Sequence, residues 1–239
     1  MDMMVYVITN NDKIPKFKLP DCYQVLNAGG ISKRGFLSDK EGCSISEKNS
    51  SYCELTGFYY IWKNLESKAD IIGICHYRRC LTLNQFYKHI PKFISSKFGA
   101  ITKEDIMPLL NSSGAIVSLF DTGKLSVYEQ YCVCHKRKDI DLIRKIIEEL
   151  YPEYLDTYDE VLNGHTLCLG NMIITHNVIF CRYCSWLFCI LSEFEKQCDI
   201  ADYDNYQKRV YGFLAERLMY VWLKKNKIRL HSLPYIFFK

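Results

Sequence analysis

An apolar run at 71–75 is followed directly by four polar residues, His76, Tyr77, Arg78 and Arg79. An uninterrupted apolar run of this length is typical of a strand buried on both faces, and such strands usually end in a turn of Gly, Asn, Asp or Pro. This run instead delivers an imidazole, a phenol and two guanidinium groups to the carboxyl edge of a sheet, where open α/β folds bind ligands. Because a guanidinium group stays charged and offers a planar fork of donors, we predict a phosphate contact here. The alternative is a pair of structural arginines that form salt bridges with neighbouring helices.

A second polar cluster, Lys48, Asn49 and Tyr52, lies where a helix is predicted to begin. Helix N-termini attract anions because their first N–H groups are unpaired, and a nearby lysine adds positive charge. The same segment also fits simple capping, since Ser51 and Glu54 have the spacing of a capping box. An anion site and a structural cap are equal alternatives for this cluster.

Asn171 follows Gly170 at the entry to another apolar run. Its side-chain amide could hydrogen-bond a sugar hydroxyl, but asparagine also stabilises turns without any ligand. The turn is the more common role of such a residue.

The segment 202–218 places Asp204 just before a predicted helix that carries Gln207, Arg209 and Glu216. Positions three and four apart on a helix are neighbours, so Arg209 and Glu216 fall near one strip of its surface. Glu216 could be a general base or could form a structural ion pair with the adjacent arginine. The Asp-Tyr-Asp letters at 202–204 follow no apolar strand, which favours helix capping over a metal site.

Apolar periodicity places these clusters on alternating strands and helices. We predict strands at 5–9, 70–75, 115–119 and 171–175 and an extended segment at 228–238, and helices at 52–64, 84–89, 103–111, 128–134, 139–150, 180–197 and 206–225. The stretch 13–40 is predicted to be irregular, with a turn at 27–30. This alternation indicates an α/β protein with a mostly parallel central sheet, flanking helices and a helical C-terminal part.

The composition is that of a soluble globular protein, with 239 residues and a net charge of +4. The balance of 31 basic and 27 acidic residues argues against bulk nucleic-acid binding. The 12 cysteines lack the paired spacing of a zinc site, and without a recognisable signal peptide we expect reduced thiols in a cytoplasmic protein. No apolar stretch reaches the length of a membrane span.

Several catalytic motifs are missing from the sequence. There is no P-loop, no G-x-G-x-x-G after the first strand, no G-x-S-x-G and no H-E-x-x-H, which excludes the ordinary nucleotide-binding, hydrolase and zinc-protease signatures. No Asp-x-Asp follows a buried strand, so the usual metal contact of a diphosphate has no candidate.

The polar clusters occur in this order among further segments that carry a family resemblance. These segments are Ile-Ser-Glu-Lys-Asn (45–49), Tyr-Cys-Glu-Leu-Thr-Gly (52–57), Ile-Trp-Lys-Asn (61–64), Gly-Ile-Cys-His-Tyr-Arg-Arg (73–79), Leu-Tyr-Pro-Glu-Tyr (150–154), Gly-Asn-Met (170–172) and Gly-Phe-Leu-Ala-Glu-Arg-Leu (212–218). Together they resemble the bacterial family known as domain of unknown function 4422, found among capsular and exopolysaccharide synthesis proteins and regarded as glycosyltransferases. The matching segments span nearly the whole chain, so the resemblance is to a complete domain.

The resemblance implies a single glycosyltransferase domain of type A-like architecture over 1–239, with a donor nucleotide-binding half at 1–120 and an acceptor-side half at 121–239. It implies transfer of a hexose, of galactose or galactofuranose type, from a UDP-sugar to a capsular, exopolysaccharide or lipopolysaccharide acceptor. A lipid-linked acceptor would bring the protein to the cytoplasmic face of the inner membrane. Metal dependence on Mn²⁺ or Mg²⁺ stays open, with no ligand residues assigned. The alternative is a carbohydrate- or nucleotide-binding module without turnover.

The resemblance also suggests roles for individual residues. The residues predicted to contact the donor or its diphosphate are Thr9, Ala28, Gly29, Lys48, Asn49, Tyr52, Tyr77, Arg78 and Arg79. Those predicted to face the sugar or the acceptor are Asn171, Asp204, Gln207 and Arg209. Glu216 is the predicted base for the incoming hydroxyl, and His76 is the second catalytic candidate.

Overall fold

The fold is built around a central β-sheet. The structure is a computed structural model, and it describes residues 1–65, 69–83 and 100–238. The strands in these residues are β1 (Met3–Asn10), β2 (Tyr23–Ala28), β3 (Leu37–Ser38), β4 (Ile71–His76), β5 (Arg79–Leu81), β6 (Ala115–Asp121), β7 (Thr166–His176), β8 (Leu230–Ser232) and β9 (Tyr235–Phe237). The helices are α1 (Asn49–Tyr52), α2 (Leu55–Asn64), α3 (Lys103–Ser112), α4 (Val127–Cys134), α5 (Arg137–Leu150), α6 (Leu155–Asn163), α7 (Asn177–Gln197) and α8 (Val210–Lys225). The helix predicted at 84–89 lies outside the described residues.

The sheet is mixed rather than mostly parallel, while the predicted α/β class is confirmed. Its strand order is β3-β2-β1-β4-β7-β6-β8, with β5 beside β4 and β9 beside β5. Pairing is parallel from β3 to β4 and becomes antiparallel where β7 joins β4 and β6. In the parallel half Ile8 is opposite His76 and Asn10 is opposite Ala28. This register brings the carboxyl ends of β1, β2 and β4 to one edge of the sheet.

The prediction of an irregular chain at 13–40 is wrong for β2, which pairs with β1 along its whole length. The strand is short, and it lies between polar and turn-forming segments that hide its pattern in the sequence. Ala28 is the last residue of the strand, and the turn begins only at Gly29, whose φ is +85°.

The single helix predicted at 52–64 is also wrong, because the chain forms α1 and α2 with a break at Cys53. Cys53 has a φ of +52°, which ends a right-handed helix. The side-chain amide of Asn49 stabilises the break by donating to the Cys53 carbonyl at 2.7 Å and to Thr56 Oγ1 at 3.0 Å. The break turns residues 53 and 54 toward the edge of the sheet.

Two hydrophobic cores cover the two faces of the sheet. Alternation along β1 sends Tyr6 and Ile8 into the larger core, beneath α2 and α4 to α8, and sends Val5 and Val7 into the smaller one, against α3, β5 and β9. Each fully buried aliphatic side chain contributes about 1.5–3 kcal/mol relative to exposure. In the part of the chain that the structure describes, no helix has both the length and the hydropathy of a membrane span.

Candidate active site

A cavity of about 490 Å³, here called the edge cavity, opens at the carboxyl edge of the parallel strands. The ends of β1, β2 and β4 form one side of it, and the α1–α2 break and the start of α8 form the other. Its volume is in the range of small-molecule sites. The predicted residues that line it are Thr9, Ala28, Asn49, His76, Tyr77, Arg78, Arg79, Arg209 and Glu216.

Four cationic side chains line the edge cavity: Lys13, Arg78, Arg79 and Arg209. Among the described residues none of the four forms an ion pair with a carboxylate. They rest on aromatic rings instead, with Arg78 5.1 Å from the Tyr77 centroid and Lys13 5.3 Å from the same ring. The cavity lining also holds two carboxylates, Glu54 and Glu216, so the cations are in excess and the cavity is attractive to an anion.

Behind the edge cavity, β7 is distorted at residues 170 and 171, and Gly170 there contacts the lining residues His76 and Glu216. Gly170 has a φ of +72° and Asn171 a φ of +50°, and the register of β7 with β6 shifts between Val117 and Leu119. Glycine and asparagine tolerate the left-handed region better than other residues, so this dipeptide suits the distortion. Bulges of this kind re-aim side chains and backbone groups next to binding sites.

Glu216 is held against the distorted strand by two hydrogen bonds. Its Oε1 accepts from the Gly170 backbone N–H at 2.7 Å, and its Oε2 accepts from Arg217 Nη1 at 2.9 Å. The Glu216 side chain is 16% exposed and that of Arg217 only 3%. Burial raises the pKa of Glu216 above its usual range, an effect that the charge of Arg217 opposes. A carboxylate with a raised pKa is a better proton acceptor near neutral pH.

His76 contacts the same strand from β4. Its Nε2 lies within hydrogen-bonding distance of the Gly170 carbonyl, and because a carbonyl oxygen can only accept, Nε2 carries the proton. Burial lowers the pKa of His76, although the carboxylate of Glu54 and the bond to the Gly170 carbonyl partly oppose this shift. The imidazole is therefore neutral near pH 7 and fixes the position of Gly170.

Asn171, predicted to face a sugar, is fully buried behind the cavity wall. Its Nδ2 donates to Glu54 Oε1 at 2.7 Å and to the Gly212 carbonyl at 3.1 Å. Glu54 itself lines the edge cavity. Asn171 thus orients a carboxylate at the cavity instead of lining the cavity itself.

Glu54 was missed by the sequence reasoning, which placed it in a capping box. The box does not form, since the Glu54 side chain makes no cap and Ser51 Oγ donates to the Lys48 carbonyl at 3.1 Å. The only sequence signal was an acidic residue next to a predicted helix start, and capping explains that pattern equally well. We name Glu54, His76, Gly170, Asn171 and Glu216 the Gly170 cluster.

Lys48 and Tyr52 lie outside the edge cavity, in what we name the Glu195 cluster. Lys48 Nζ forms an ion pair with Glu195 Oε2 at 2.8 Å, and Tyr52 Oη donates to the same oxygen at 3.1 Å. The Tyr52 ring stacks on Tyr211 with centroids 4.0 Å apart. Every charge and hydroxyl named here has a protein partner, so the cluster fastens α1 to α7 and α8.

Gly29 also lies outside the edge cavity, at the neighbouring loop. Its backbone N–H donates to Asp39 Oδ1 at 3.0 Å, and a Cβ there would meet Asn49 Oδ1 at 2.6 Å. Gly29 therefore lets the loop approach Asn49, which does line the cavity.

Asp204 and Gln207 support the turn that precedes α8. Asp204 Oδ1 accepts from the backbone N–H groups of Tyr206 and Gln207, each at 2.8 Å. This is the capping role that the sequence favoured over a metal site. Gln207 Nε2 donates to the Cys134 carbonyl at 2.9 Å, and its Oε1 lies 3.2 Å from His135 Nδ1. Neither residue lines the edge cavity.

No group of three or more His, Cys, Asp or Glu side chains in the described ranges is arranged to hold a metal ion.

Comparisons with known proteins agree on one family and one fold. A family model described as domain of unknown function (DUF4422) matches residues 5–227. The apo structure of the bifunctional glycosyltransferase WbbM aligns with 99% of this chain at 26% identity and a TM-score of 0.86. The chain spans 45% of the length of WbbM.

A weaker structural match is the mannosyltransferase Ktr4p from S. cerevisiae, at 9% identity over 98% of this chain and 70% of its own. Its TM-score of 0.40 is too low to indicate a shared fold. None of the curated proteins compared with the chain by sequence matches it.

Proposed function

This chain belongs to the DUF4422 family and shares its fold with part of a bifunctional glycosyltransferase, and from that premise we propose that it is a glycosyltransferase with a nucleotide-diphospho sugar as donor. The donor lies in the edge cavity, and the acceptor is a glycan. Fold likeness alone does not carry an activity, so the proposal depends on the chemistry of this cavity.

The observation that carries the proposal is the set of unpaired cations at the edge cavity. Lys13, Arg78, Arg79 and Arg209 line it without carboxylate partners in the described part of the chain. A diphosphate leaving group gains negative charge as the bond to the sugar breaks, and fixed cations stabilise that charge. The carboxyl edge of parallel strands is also the usual position of a nucleotide in α/β sheets.

Glu216 is the proposed base. The acceptor oxygen attacks the anomeric carbon, the bond from that carbon to the phosphate oxygen breaks, and its electron pair leaves with the nucleoside diphosphate. Glu216 takes the proton of the attacking hydroxyl, which its raised pKa favours. His76 acts as a positioning residue, because its hydrogen bond to the Gly170 carbonyl holds the peptide that in turn binds Glu216.

The finer assignments remain predictions. We propose a hexosyl donor, of galactose or galactofuranose type carried on UDP, and an acceptor in capsular, exopolysaccharide or lipopolysaccharide synthesis. A divalent ion, Mn²⁺ or Mg²⁺, has no residues assigned to it, and no step above depends on one.

The test combines Arg78→Ala with Arg79→Ala in one protein. We expect transfer and donor hydrolysis to fall about 100-fold or more, as for the loss of a charge-stabilising donor. Affinity for UDP should fall toward that for uridine, because only the diphosphate loses its partners. The matched control replaces Arg137 and Arg182 with alanine, because both are exposed arginines that do not line the edge cavity.

Calorimetry and a transfer assay with UDP-galactose and GDP-mannose would measure these effects. A wild-type protein that binds neither UDP nor GDP contradicts the proposal. Nucleotide binding without hydrolysis or transfer by the wild type would support the binding module instead.

A further inference from the structure

A second cleft, here called the aromatic cleft, lies beside the edge cavity. Its volume is about 320 Å³. The two share Arg79, Arg209, Phe213 and Glu216, so these side chains form a common wall. A molecule in the aromatic cleft would therefore reach the same Glu216 side chain that lines the edge cavity.

Three rings at one end of the cleft form a continuous apolar surface. His135 stacks on Phe213 with centroids 4.0 Å apart, and Tyr206 lies 5.1 Å from Phe213 and 5.9 Å from His135. The Tyr206 side chain is 54% exposed, and Phe120, which lines the same cleft from β6, is 42% exposed. Exposed rings of this size offer flat apolar faces that a ligand can cover.

His135 adds a hydrogen-bond acceptor of fixed orientation. Because Gln207 Nε2 donates to the Cys134 carbonyl, Gln207 Oε1 must accept, and His135 Nδ1 therefore carries the ring proton. Burial lowers the pKa of His135 to about 4, so the ring is neutral near pH 7 and Nε2 keeps its lone pair. A hydroxyl group is a suitable donor to such a nitrogen.

The charges favour a neutral polar ligand over a phosphate in this cleft. Arg217 lines it, but its guanidinium donates to Gln130 Oε1 at 2.5 Å, to the Phe213 carbonyl at 2.8 Å and to Glu216. Of the four edge-cavity cations that form no ion pair within the described residues, Lys13 and Arg78 do not line the cleft, and Arg79 and Arg209 lie in the wall that it shares with the edge cavity. A ligand with an apolar face and several hydroxyl groups fits both the rings and the free nitrogen.

We propose that the aromatic cleft is the acceptor site and that it holds a pyranose ring stacked on Tyr206, with a hydroxyl directed at Glu216. This inference rests on the proposed function, because it gives the acceptor a place relative to the base. Phe120 bounds the sugar from the β6 side, and Gln207 acts through His135 as a positioning residue.

The experiment measures sugar binding without requiring turnover. Saturation-transfer NMR is recorded with octyl β-glucoside, octyl β-galactoside and octyl α-mannoside, with the wild-type protein held in excess UDP. Tyr206→Ala and Phe120→Ala should each weaken the binding of the bound pyranoside about tenfold, the size expected for the loss of one stacking partner. Tyr206→Phe should weaken it less than Tyr206→Ala, because the ring remains.

Val178→Ala is the matched control, since it removes an apolar side chain that is 72% exposed and lines neither the cavity nor the cleft. UDP affinity in each variant checks that the edge cavity is intact. Signals from the octyl chain alone, without the sugar protons, would mean an apolar or lipid site and would overturn the proposal. Equal pyranoside binding by wild type and Tyr206→Ala would also overturn it, as would no pyranoside binding by a wild type that binds UDP.

Failure of the two proposals can be told apart. A wild type that binds a pyranoside through Tyr206 but no nucleotide keeps the sugar site and contradicts the donor assignment. A wild type that binds and hydrolyses a nucleotide sugar but ignores every pyranoside keeps the donor assignment and contradicts the sugar site.

Discussion

The Glu195 cluster and the Gly170 cluster each hold a carboxylate in hydrogen bonds but differ in what borders them. In the Glu195 cluster the ammonium of Lys48 and the hydroxyl of Tyr52 meet one carboxylate, and neither residue lines the edge cavity. The Gly170 cluster borders the edge cavity, where Arg79 and other cations have no carboxylate partner in the described residues. Neutralised charge indicates a structural contact, whereas unpaired charge beside a cavity indicates a ligand.

The largest difference between the two clusters is expected when one carboxylate is removed from each. Glu216→Gln keeps an oxygen that can accept from the Gly170 N–H but cannot take a proton, so kcat for sugar transfer should fall at least about 100-fold. Glu195→Gln should leave kcat unchanged and cost at most about 1 kcal/mol of stability, as for a partly exposed ion pair. Steady-state kinetics and urea unfolding of both variants would decide. Equal kcat in Glu216→Gln and wild type would remove Glu216 as the base.

A smaller effect is expected from the buried amide that organises the Gly170 cluster. Asn171→Ala loses the hydrogen bonds to Glu54 and Gly212 and puts alanine, which tolerates the left-handed region less well than asparagine, at a φ of +50°. Together these changes should cost about 2–3 kcal/mol. Asn171→Gly relieves the backbone strain and isolates the loss of the amide. Tyr52→Phe, which removes one hydrogen bond of the Glu195 cluster, should cost only about 1 kcal/mol. Urea unfolding measures all three; an Asn171→Gly variant as stable as wild type would show that the amide contributes nothing.

The smallest expected difference is in how the free energy of unfolding changes with pH. Burial lowers the pKa of His76, so below about pH 6.5 the unfolded chain binds a proton that the native protein resists. The free energy of unfolding should therefore fall as the pH drops through this range. Glu216 acts in the opposite direction, because its raised pKa lets the native state take up a proton first.

His76→Gln keeps an N–H for the Gly170 carbonyl but has no titrating ring, so this variant should lose less stability than wild type between about pH 7 and about pH 5. Glu216 is present in both proteins, so its contribution cancels in the comparison. Tyr52→Phe should retain the wild-type slope. Identical slopes for His76→Gln and wild type, from urea unfolding at each pH, would contradict a neutral buried His76.

The sequence predicts those residues of the edge cavity whose positions follow from the strand that they end. The apolar run before His76 predicted β4, and the carboxyl edge of a parallel sheet then placed Thr9, His76 and Arg79 near one another. Lys48 and Tyr52 had an equally plausible local pattern, but their partner is Glu195, far away in the sequence. No local pattern can predict such a pairing.

Glu54 is a second residue whose partner could not be predicted from its neighbours in the chain. Its neighbours predicted a capping box, but the amide of Asn49 breaks the helix at Cys53, and Glu54 turns to Asn171. The contact joins the α1–α2 break to β7, two segments far apart in the chain that only the folded structure brings together.

The sequence by itself determined the α/β class, most of the strands and helices, and the unusual polar end of β4, because these depend on periodicity and on residues that are neighbours in the chain. The tertiary structure decided the antiparallel pairing of β7, the wall that Glu216 forms between the edge cavity and the aromatic cleft, and which cavity cations have no ion pair within the described residues. Those features depend on contacts between residues far apart in the chain. Whether a charge is neutralised is a property of its surroundings, and those surroundings exist only once the chain is folded.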